Sequence, residues 1–298
     1  MLESHLLLTL TRVARAGSLT AAAAELDYSP SALSQQIATL ERRVGAPVLQ
    51  RHARGVRPTD IGAMLISYAD RIGALLGDAE SELRDALRGT AGTVRIGSFP
   101  TASRAIIAPA AAAYSATHPH VDLVLRECEP AEGLHRVESG ELHAAVIFHY
   151  PQLGPRHLEH IDIHELCEDA LLLAIPVDHP LASLAVVDVA DLRTICWIHG
   201  HDWGPPTQLL QHICRQAGFN PDISYESDNY QVQQSLVAAG LGIALIPALA
   251  LGPAPTGIVT RPIANQPLHR RISVATTTDP QKPAVSAFID ALTRTATD

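Results

Sequence analysis

Residues 17–45 constrain the fold of this chain more than any other segment, because they predict two short amphipathic helices joined by a tight turn. Gly17 can adopt the left-handed conformation that ends a helix, and Ser18 can cap the next helix, which begins at about Leu19. Apolar residues then recur at helical spacing up to Leu26, and many are alanines, which lets another helix approach closely. The sequence therefore predicts a short helix packed tightly against its neighbours.

The second helix of the pair begins at Ser29 and Pro30. Serine caps the free N–H groups of a first turn, and proline has no N–H to lose there. Gly45 is expected to end this helix after Val44. Two helices joined by a turn at residues 27–28 have the layout of a DNA-reading helix-turn-helix.

Apolar and polar residues divide this second helix into two faces. The apolar stripe steps by three and four residues, through Leu33, Ile37, Leu40 and Val44. The opposite face carries small, amide-bearing and basic side chains, namely Ser31, Gln35, Ala38, Thr39 and Arg42. Glutamine can make paired hydrogen bonds to adenine, and arginine can hold phosphate. The alternative, an ordinary surface helix, usually carries more alternating charge.

A basic hairpin is predicted directly after the helix pair. Residues 48–51 and 56–59 have strand character, and the arginines of the segment are Arg51, Arg54 and Arg57. A hairpin beside a recognition helix is a wing, whose guanidinium groups neutralise phosphates or enter the minor groove.

Basic charge is confined to the front of the chain. Residues 1–60 carry seven arginines against five acidic residues, whereas the remainder carries fifteen basic residues against twenty-six acidic ones, and the net charge is −9. This distribution excludes a coat of basic charge over the whole protein. It favours DNA binding by the front segment alone.

A dense, ordered set of residues extends the pattern over the whole front segment: Gly17, Ser18, Leu19, Thr20, Ala22, Ala23, Leu26, Ser29, Ser34, Gln36, Ile37, Leu40, Glu41, Gly45, Arg51, Thr59 and Gly62. This set resembles the winged helix-turn-helix signature of LysR-type transcriptional regulators, a bacterial family. The resemblance implies DNA contacts by Ser29, Ser31, Ser34, Gln35 and Gln36.

Two departures from the family pattern leave the identity of the contacted bases open. Pro30 and Ser31 stand where such proteins commonly have Gln followed by Pro. Val48 and Leu49 stand where the wing commonly has Leu followed by Phe. The usual base-contacting Gln is therefore absent from its position.

A single helical pattern runs from Thr59 to about Arg88 and is expected to end at Gly89. At 1.5 Å per residue such a helix is about 40 Å long, which is too long for a small domain to cover. Its apolar stripe is Ile61, Leu65, Tyr68, Ile72, Leu75, Leu76, Ala79, Leu83 and Leu87. We expect a second copy of the chain to cover it, with a lone solvent-bridging connector as the alternative.

Residues 90–298 alternate short strand patterns with helix patterns in two βαβ series, which implies a parallel sheet and two lobes. The motifs at residues 179–182, 216–221 and 237–247 resemble the co-inducer-binding domain of the same family. The resemblance therefore implies an α+β multidomain fold, with an N-terminal winged helix-turn-helix, a long linker helix and a C-terminal two-lobed α/β domain like the periplasmic binding proteins.

The expected boundaries follow from these patterns. The winged helix-turn-helix is assigned to residues 1–58, the linker and dimerisation helix to residues 59–89, and the effector-binding domain to residues 90–298. Within the last domain, lobe I is expected to comprise residues 92–160 and 268–298, and lobe II residues 161–267. The chain is expected to cross between the lobes near residues 149–161 and 265–268.

Ligands of open α/β sheets bind beyond the carboxyl ends of the strands, so the residues there are the candidate effector site. They are Ser98, Phe99, Pro100, Thr101, Ser103, Cys128, Phe148, His149, His199, His201, Trp203 and Asp228. Hydroxyl groups at the start of a helix favour a carboxylate or phosphate, although plain helix capping is an equal alternative. We expect a small anionic metabolite between Ser98, Thr101, Ser103 and the loop at residues 199–203.

Fifteen histidines leave a metal-site alternative open. His199 and His201 lie at i and i+2 with Asp202 next to them, and His149 is a further candidate ligand. A complete site needs more ligands and supporting contacts, so pocket hydrogen bonding is favoured and no metal or cofactor is expected. His157, His160 and His164 are expected to be solvated in the connection between the lobes.

The four cysteines have no metal-binding spacing, and no signal segment precedes the helix-turn-helix, which together favour a reducing cytoplasm. Cys196 and Cys214 are the candidate pair for an oxidant sensor, but apolar flanks favour core packing. No sequence context points to an enzyme active site.

Three classes of function therefore remain. The favoured class is a ligand-responsive transcription factor whose partners are double-stranded DNA, a small-molecule effector, a second copy in a homodimer or homotetramer, and RNA polymerase. An enzyme or metal-binding protein that uses the histidine-rich cleft is the second class. A transport-type solute-binding module is the third.

Overall fold

The computed structural model describes residues 2–52, 55–88, 92–154, 158, 160–200, 204–252, 256–264 and 267–297. Residue contacts divide the chain into two compact units. The first comprises Met1–Ile96, Pro119–Val124 and Leu134–His143, and the second comprises Gly97–His118, Leu125–Gly133 and Ala144–Asp298. The first unit thus groups the predicted helix-turn-helix with the predicted linker helix.

The front of the first unit is a winged helix-turn-helix, as the sequence predicts. Its elements are α1 (Ser4–Ala16), α2 (Leu19–Glu25), α3 (Pro30–Val44), β1 (Leu49–His52), β2 (Gly55–Pro58) and α4 (Asp60–Arg88). Apolar side chains from all four helices meet in one core, which includes Leu10, Val13, Ala22, Leu33, Leu40 and Ala69.

The predicted caps at the helix ends are confirmed. The hydroxyls of Ser18 and Ser29 accept hydrogen bonds from the backbone N–H three residues later, at 3.5 and 3.1 Å. Gly17 and Gly45 end α1 and α3 in the left-handed conformation, with φ of 64° and 79°. Local sequence therefore determines where these helices begin and end.

The predicted wing is an antiparallel hairpin in which Gln50 of β1 lies opposite Arg57 of β2. Each strand is shifted by one residue from its predicted range, and Val48, expected to begin β1, is buried in the helical core. The first residue of the expected strand thus anchors the wing to the helices.

The helix α4 has 29 residues, and the Thr59 hydroxyl accepts the N–H of Gly62 at 3.0 Å, as expected of a cap. Large apolar side chains remain exposed along it, namely Ile61, Met64, Tyr68, Leu75, Leu76 and Leu83. The exposed fraction of Leu75 reaches 72%. The stripe predicted from the sequence is therefore largely uncovered in the single chain.

The strand β3 (Thr93–Ser98) runs from the first unit into the second and lies beside β4 (Asp122–Glu127). The other elements after α4 are α5 (Pro100–Ala102), α6 (Ala108–Thr117), α7 (Pro130–Glu138), β5 (Ala144–His149), β6 (Ile161–Pro176), β7 (Cys196–His199), α8 (Pro205–Gln216), β8 (Asp222–Glu226), α9 (Tyr230–Ala238), β9 (Ala244–Pro247), β10 (Ile258–Arg261), β11 (His269–Thr277) and α10 (Pro283–Thr297). A π-helical turn at Ser103–Ile107 joins α5 to α6.

The prediction of a purely parallel sheet is wrong. β7 and β8 are parallel, but β11 pairs antiparallel with both β5 and β6, and β6 pairs antiparallel with β9 and β10. The reason is the length of β6, which begins at Ile161 in the segment expected to be a connection. Its first part pairs with β11 and its last part, from Leu171, pairs with β9 and β10, so one strand belongs to two sheets. His164 accordingly lies in a strand, exposed.

The surroundings of two glycines in α4 differ, so we expect substitution by alanine to have opposite effects on stability at the two positions. A Cβ at Gly62 would lie 2.0 Å from the carbonyl oxygen of Val48, whereas a Cβ at Gly77 would have no heavy atom within 4 Å. We expect Gly62→Ala to lower the free energy of unfolding by about 1–3 kcal/mol through overpacking. Gly77→Ala should raise it by about 1 kcal/mol. Urea unfolding followed by circular dichroism measures both, and a neutral Gly62→Ala would show that the wing is loosely attached.

Candidate functional site

The helix α3 presents one face to solvent, as the sequence predicts. Leu33, Ile37 and Leu40 are buried in the core of the helix-turn-helix. Four residues on the other side are exposed: Ser31, Gln35, Ala38 and Arg42. The polar face is therefore accessible to a partner molecule along the length of the helix.

Hydrogen bonds order several side chains on this exposed face. The hydroxyls of Ser29 and Ser31 lie 3.0 Å apart. The guanidinium of Arg42 donates to the Thr39 hydroxyl at 3.0 Å, and that hydroxyl donates to the Gln35 carbonyl at 2.8 Å. The face combines small hydroxyls, an amide and a cation, the groups that bind base edges and phosphates.

Two further candidate contacts from the sequence have different surroundings. The amide oxygen of Gln36 accepts a hydrogen bond from the buried Thr9 hydroxyl at 2.8 Å, which ties α3 to α1. Ser34 is half-buried. The structure thus places Gln36 in a contact between helices, away from the outward face.

Of the three arginines predicted for the wing, Arg57 is the one whose side chain the structure describes. Arg57 is exposed on β2. Arg54 and the side chain of Arg51 lie outside the described residues. A guanidinium at this place has the charge and reach for a phosphate contact beside the recognition helix.

The second unit contains a cavity of about 1050 Å³. Seven of the residues that the sequence singles out for an effector line it: Phe99, Pro100, Thr101, Phe148, His149, His199 and Asp228. They come from the ends of β3, β5 and β7 and from the start of α5 and α9. The strand ends therefore converge on one cavity, which is large enough for a small organic molecule.

Three further sequence-predicted residues, Ser98, Ser103 and Cys128, are described but are not part of the lining. The Ser98 hydroxyl is buried and donates to the Phe99 carbonyl at 3.3 Å, and Cys128 is buried. Ser103 belongs to the π-helical turn, and its buried Oγ has no hydrogen-bond partner among the described residues. His201 and Trp203 lie outside the described residues. Of the three hydroxyls at this helix start, that of Thr101 alone lines the cavity.

A buried arginine forms part of the cavity wall. The side chain of Arg270, on β11, is 2% exposed and pairs with Asp169 of β6 through its Nη2, 2.8 Å from Oδ2, and its Nε, 2.9 Å from Oδ2. Nη2 of Arg270 also donates to the Thr101 hydroxyl at 2.7 Å. A buried guanidinium with a carboxylate partner stays charged, so the cavity contains a fixed cation.

Aromatic rings enclose this guanidinium. The Cζ of Arg270 lies 5.0 Å from the ring centroid of Phe99 and 4.9 Å from that of Phe148. The two rings meet edge to face at 4.9 Å, and Phe148 contacts Tyr150 at 5.5 Å. These contacts fix the direction of the guanidinium and give the cavity an apolar, aromatic wall.

The carboxylate of Asp169 has a second role. Its Oδ1 accepts the backbone N–H of Leu249 at 3.0 Å, and the guanidinium of Arg104 donates to the Leu249 carbonyl. Leu249 lies in the short 3₁₀ turn Ala248–Ala250 that follows β9. The turn after β9 is therefore held by groups that line or adjoin the cavity.

Two phenols of the cavity remain protonated. Burial raises the pKa of the Tyr150 hydroxyl, and the neighbouring Tyr230 raises it further. Burial also raises the pKa of the Tyr230 hydroxyl. Both phenols can therefore act as hydrogen-bond donors to a ligand.

His199 is held as a neutral imidazole. Burial lowers its pKa, although the nearby carboxylates of Asp228 and Glu226 act in the opposite direction. Its Nε2 lies 3.2 Å from the Thr207 hydroxyl. A neutral, hydrogen-bonded ring is suited to positioning a ligand and adds no positive charge to the cavity.

Sequence reasoning missed Arg270, Asp169, Tyr150 and Tyr230. For Arg270 a signal was present, because residues at i, i+2 and i+4 of a strand share one face. Ile272 and Val274 share that face with Arg270, and all three are buried. A basic residue at the start of an apolar alternation predicts a buried charge that needs a partner.

The other chemical alternatives gain no support from the described part of the chain. No group of three His, Cys, Asp or Glu residues in it is arranged to hold a metal ion, with His201 and Asp202 outside that part. Its four cysteines form no disulfide, and burial raises the pKa of the Cys214 thiol to about 12, which makes it a poor nucleophile. None of its helices is long and apolar enough to cross a membrane.

Comparison with known proteins assigns both ends of the chain to one family. Residues 4–63 match the family model of the bacterial regulatory helix-turn-helix proteins of the LysR family, and residues 87–297 match the LysR substrate binding domain. The chain therefore belongs to the LysR family of transcriptional regulators. This assignment confirms the resemblance seen in the sequence and the expectation that the chain is not an enzyme.

Relatives and solved structures match over almost the whole chain. The regulator LrrA of Synechococcus elongatus is 30% identical over 96% of this chain and 95% of its own. XapR of Escherichia coli is 28% identical over 92% of this chain and 91% of its own. The crystal structure of full-length CbnR complexed with its target DNA has the same fold, with a TM-score of 0.63 and 24% identity over 99% of this chain and 100% of the other.

The Arg270–Asp169 pair predicts a large coupling between two substitutions. Arg270→Met should lower the free energy of unfolding by about 3–5 kcal/mol, because it leaves the Asp169 carboxylate buried without its cation. The double variant Arg270→Met/Asp169→Leu should be more stable than Arg270→Met, since no charge then remains buried. Urea unfolding measures each value. Arg271→Met, a half-buried neighbour with exposed partners, is the control and should change stability by less than about 1 kcal/mol.

Proposed function

We propose that this chain binds a dyad-symmetric promoter site as a homodimer or homotetramer, and that a small anionic metabolite bound in the cavity controls that binding. The observation that carries the proposal is that one chain contains both an exposed polar face on α3 and a cavity lined by a buried arginine. Such a protein acts in the bacterial cytoplasm on double-stranded DNA and contacts RNA polymerase there. We retain the domain boundaries at residues 58–59 and 89–90.

The exposed face of α3 is the proposed reading surface. The N-terminal part of a recognition helix contacts base edges in the major groove, and Ser29, Ser31 and Gln35 belong to that part. Ser34 lies beside them and Arg42 lies at the far end, where it reaches phosphate. We leave Gln36 out of the reading surface because Thr9 holds its amide.

The wing supplies the proposed contacts that do not depend on sequence. Arg51 and Arg57 lie on β1 and β2, and Arg54 lies between these strands in the sequence. Each guanidinium that neutralises a phosphate releases a counterion, so these contacts make the affinity depend on salt concentration. The wing strengthens binding, and α3 selects the site.

The uncovered stripe of α4 is the proposed dimer contact. It consists of large apolar side chains that the described residues leave exposed, Leu75 and Leu83 among them. A second copy of the same helix would cover both stripes at once around a two-fold axis. Two recognition helices related by that axis read the two halves of a symmetric operator.

The cavity is the proposed effector site. An acid group can bind the guanidinium of Arg270 and the hydroxyl of Thr101, while Phe99 and Phe148 contact the apolar body of the ligand.

Asp169 connects the proposed ligand site to the turn after β9. A ligand acid that binds Arg270 competes with Asp169, whose other oxygen holds the N–H of Leu249. A change at this carboxylate therefore alters the turn after β9, and with it the balance between two arrangements of the effector domain. The ligand shifts that balance only as far as its affinity differs between the two states.

Two substitutions separate base reading from phosphate binding. With an operator selected from a random duplex library, Gln35→Ala should lower discrimination between operator variants by about 1–3 kcal/mol. Arg57→Ala should weaken binding to all duplexes about equally and reduce the salt slope by about 1. Fluorescence anisotropy over a salt series measures both quantities. Equal loss on every duplex for Gln35→Ala would remove it from the reading surface, and an absence of operator binding by the wild type would overturn the proposed function.

The dimer contact is tested by charge insertion on α4. Leu75→Glu combined with Leu83→Glu places two carboxylates in the stripe, and the chain should become monomeric at micromolar concentration because burying them costs several kcal/mol. Analytical ultracentrifugation measures the mass. Ser67→Glu, an exposed position of the same helix away from the stripe, is the matched control and should remain a dimer. A dimeric Leu75→Glu/Leu83→Glu variant would place the two-fold contact elsewhere.

A further inference from the structure

Two carboxylates line the cavity from the segments that precede α7 and α9. Glu129, which precedes α7, and Asp228, which precedes α9, both line the cavity and are both exposed. The phenol of Tyr230 is within electrostatic reach of both carboxylates and of Arg270. The two acids and the buried cation therefore line the same cavity.

The positive charge of the cavity floor is already balanced. The Arg270 guanidinium shares its charge with the buried Asp169 carboxylate at 2.8 Å. The other arginine of the described lining, Arg104, donates to the carbonyl of Leu249. Glu129 and Asp228 add two carboxylates to the described lining, and these attract a cationic group on a ligand.

A buried acceptor in the same region points to an N–H donor. Gln233 is 3% exposed and lines the cavity. Its amide nitrogen donates to the Ser227 carbonyl at 2.7 Å, which fixes the orientation of the amide. Its buried oxygen Oε1 then has no hydrogen-bond partner among the described residues. A buried acceptor without a donor is costly, so a ligand N–H would satisfy it at a gain.

We propose that the effector carries an amino group as well as an acid group, and is therefore an amino-acid-like zwitterion. Its acid end binds Arg270 and Thr101, and its ammonium end lies among Glu129, Asp228 and the Gln233 carbonyl. This inference rests on the proposed function: it keeps the acid group of the proposed ligand and adds an ammonium group to it. It accounts for a cavity that combines a paired cation, two carboxylates and a buried unsatisfied acceptor.

The experiment compares matched ligands on the full-length protein. Each of the twenty standard amino acids is titrated by calorimetry beside the acid that lacks its amino group. We expect at least one amino acid to bind, and its deaminated counterpart to bind at least tenfold more weakly. Equal or tighter binding of the deaminated acid would overturn the inference, and so would a failure of all twenty amino acids to bind.

Two charge-neutral variants locate the ammonium end. Glu129→Gln combined with Asp228→Asn should weaken binding of the amino acid at least tenfold and leave the deaminated acid unchanged or tighter. Glu127→Gln makes the same change at an exposed position of β4 outside the lining and should bind like the wild type. Unchanged binding of the amino acid by the double variant would overturn the assignment.

A third variant and a DNA measurement separate the two proposals. Thr101→Val should weaken both members of the matched pair, because it removes a contact to the shared acid group. Operator binding by the same wild-type preparation is measured in parallel. If the protein binds its operator and responds to an acid without an amino group, the zwitterion is wrong and the regulator stands. If it binds no operator, the proposed function itself has failed.

Discussion

The second unit depends on the buried ion pair between Arg270 and Asp169. These residues face each other across β11 and β6, one residue before β6 leaves β11 and continues beside β9 and β10. Removing two charges from water is costly, and the cost is offset only by close geometry and further hydrogen bonds. Thr101 and the backbone of Leu249 provide those bonds. The pair therefore joins the helix start at the cavity to the turn after β9.

The cavity and the proposed DNA-reading surface differ in their use of charge. In the cavity, a cation is buried, paired and held between Phe99 and Phe148, so its direction is fixed. On α3 and the wing, Arg42 and Arg57 are exposed and retain the reach that phosphate contacts need. Buried charge favours selectivity for one small molecule, and exposed charge favours contact with a long, uniformly charged one.

The helix-turn-helix was predictable almost to the residue because its signals are local. Serine caps and left-handed glycines act within one turn of the chain, and the apolar stripe of α3 follows from helical spacing. The sheet of the second unit was less predictable. The sequence predicts a connection between lobes up to about residue 161, whereas β6 is one continuous strand from Ile161 to Pro176. Pairing partners are distant in sequence, and Asp169 and Arg270 are separated by 101 residues. No local pattern reports such a contact.

The sequence by itself determined the class of the protein, its winged helix-turn-helix, the uncovered stripe on the long helix and most of the strand ends that line the cavity. Only the tertiary structure decided that β6 pairs with β9 and β10 as well as β11, that Gln36 contacts α1, and that Arg270 of the cavity wall meets Asp169. The physical reason is the distance along the chain over which each interaction acts. Caps and helical periodicity act between neighbours in the chain, whereas a buried charge is explained only by a partner that folding brings to it.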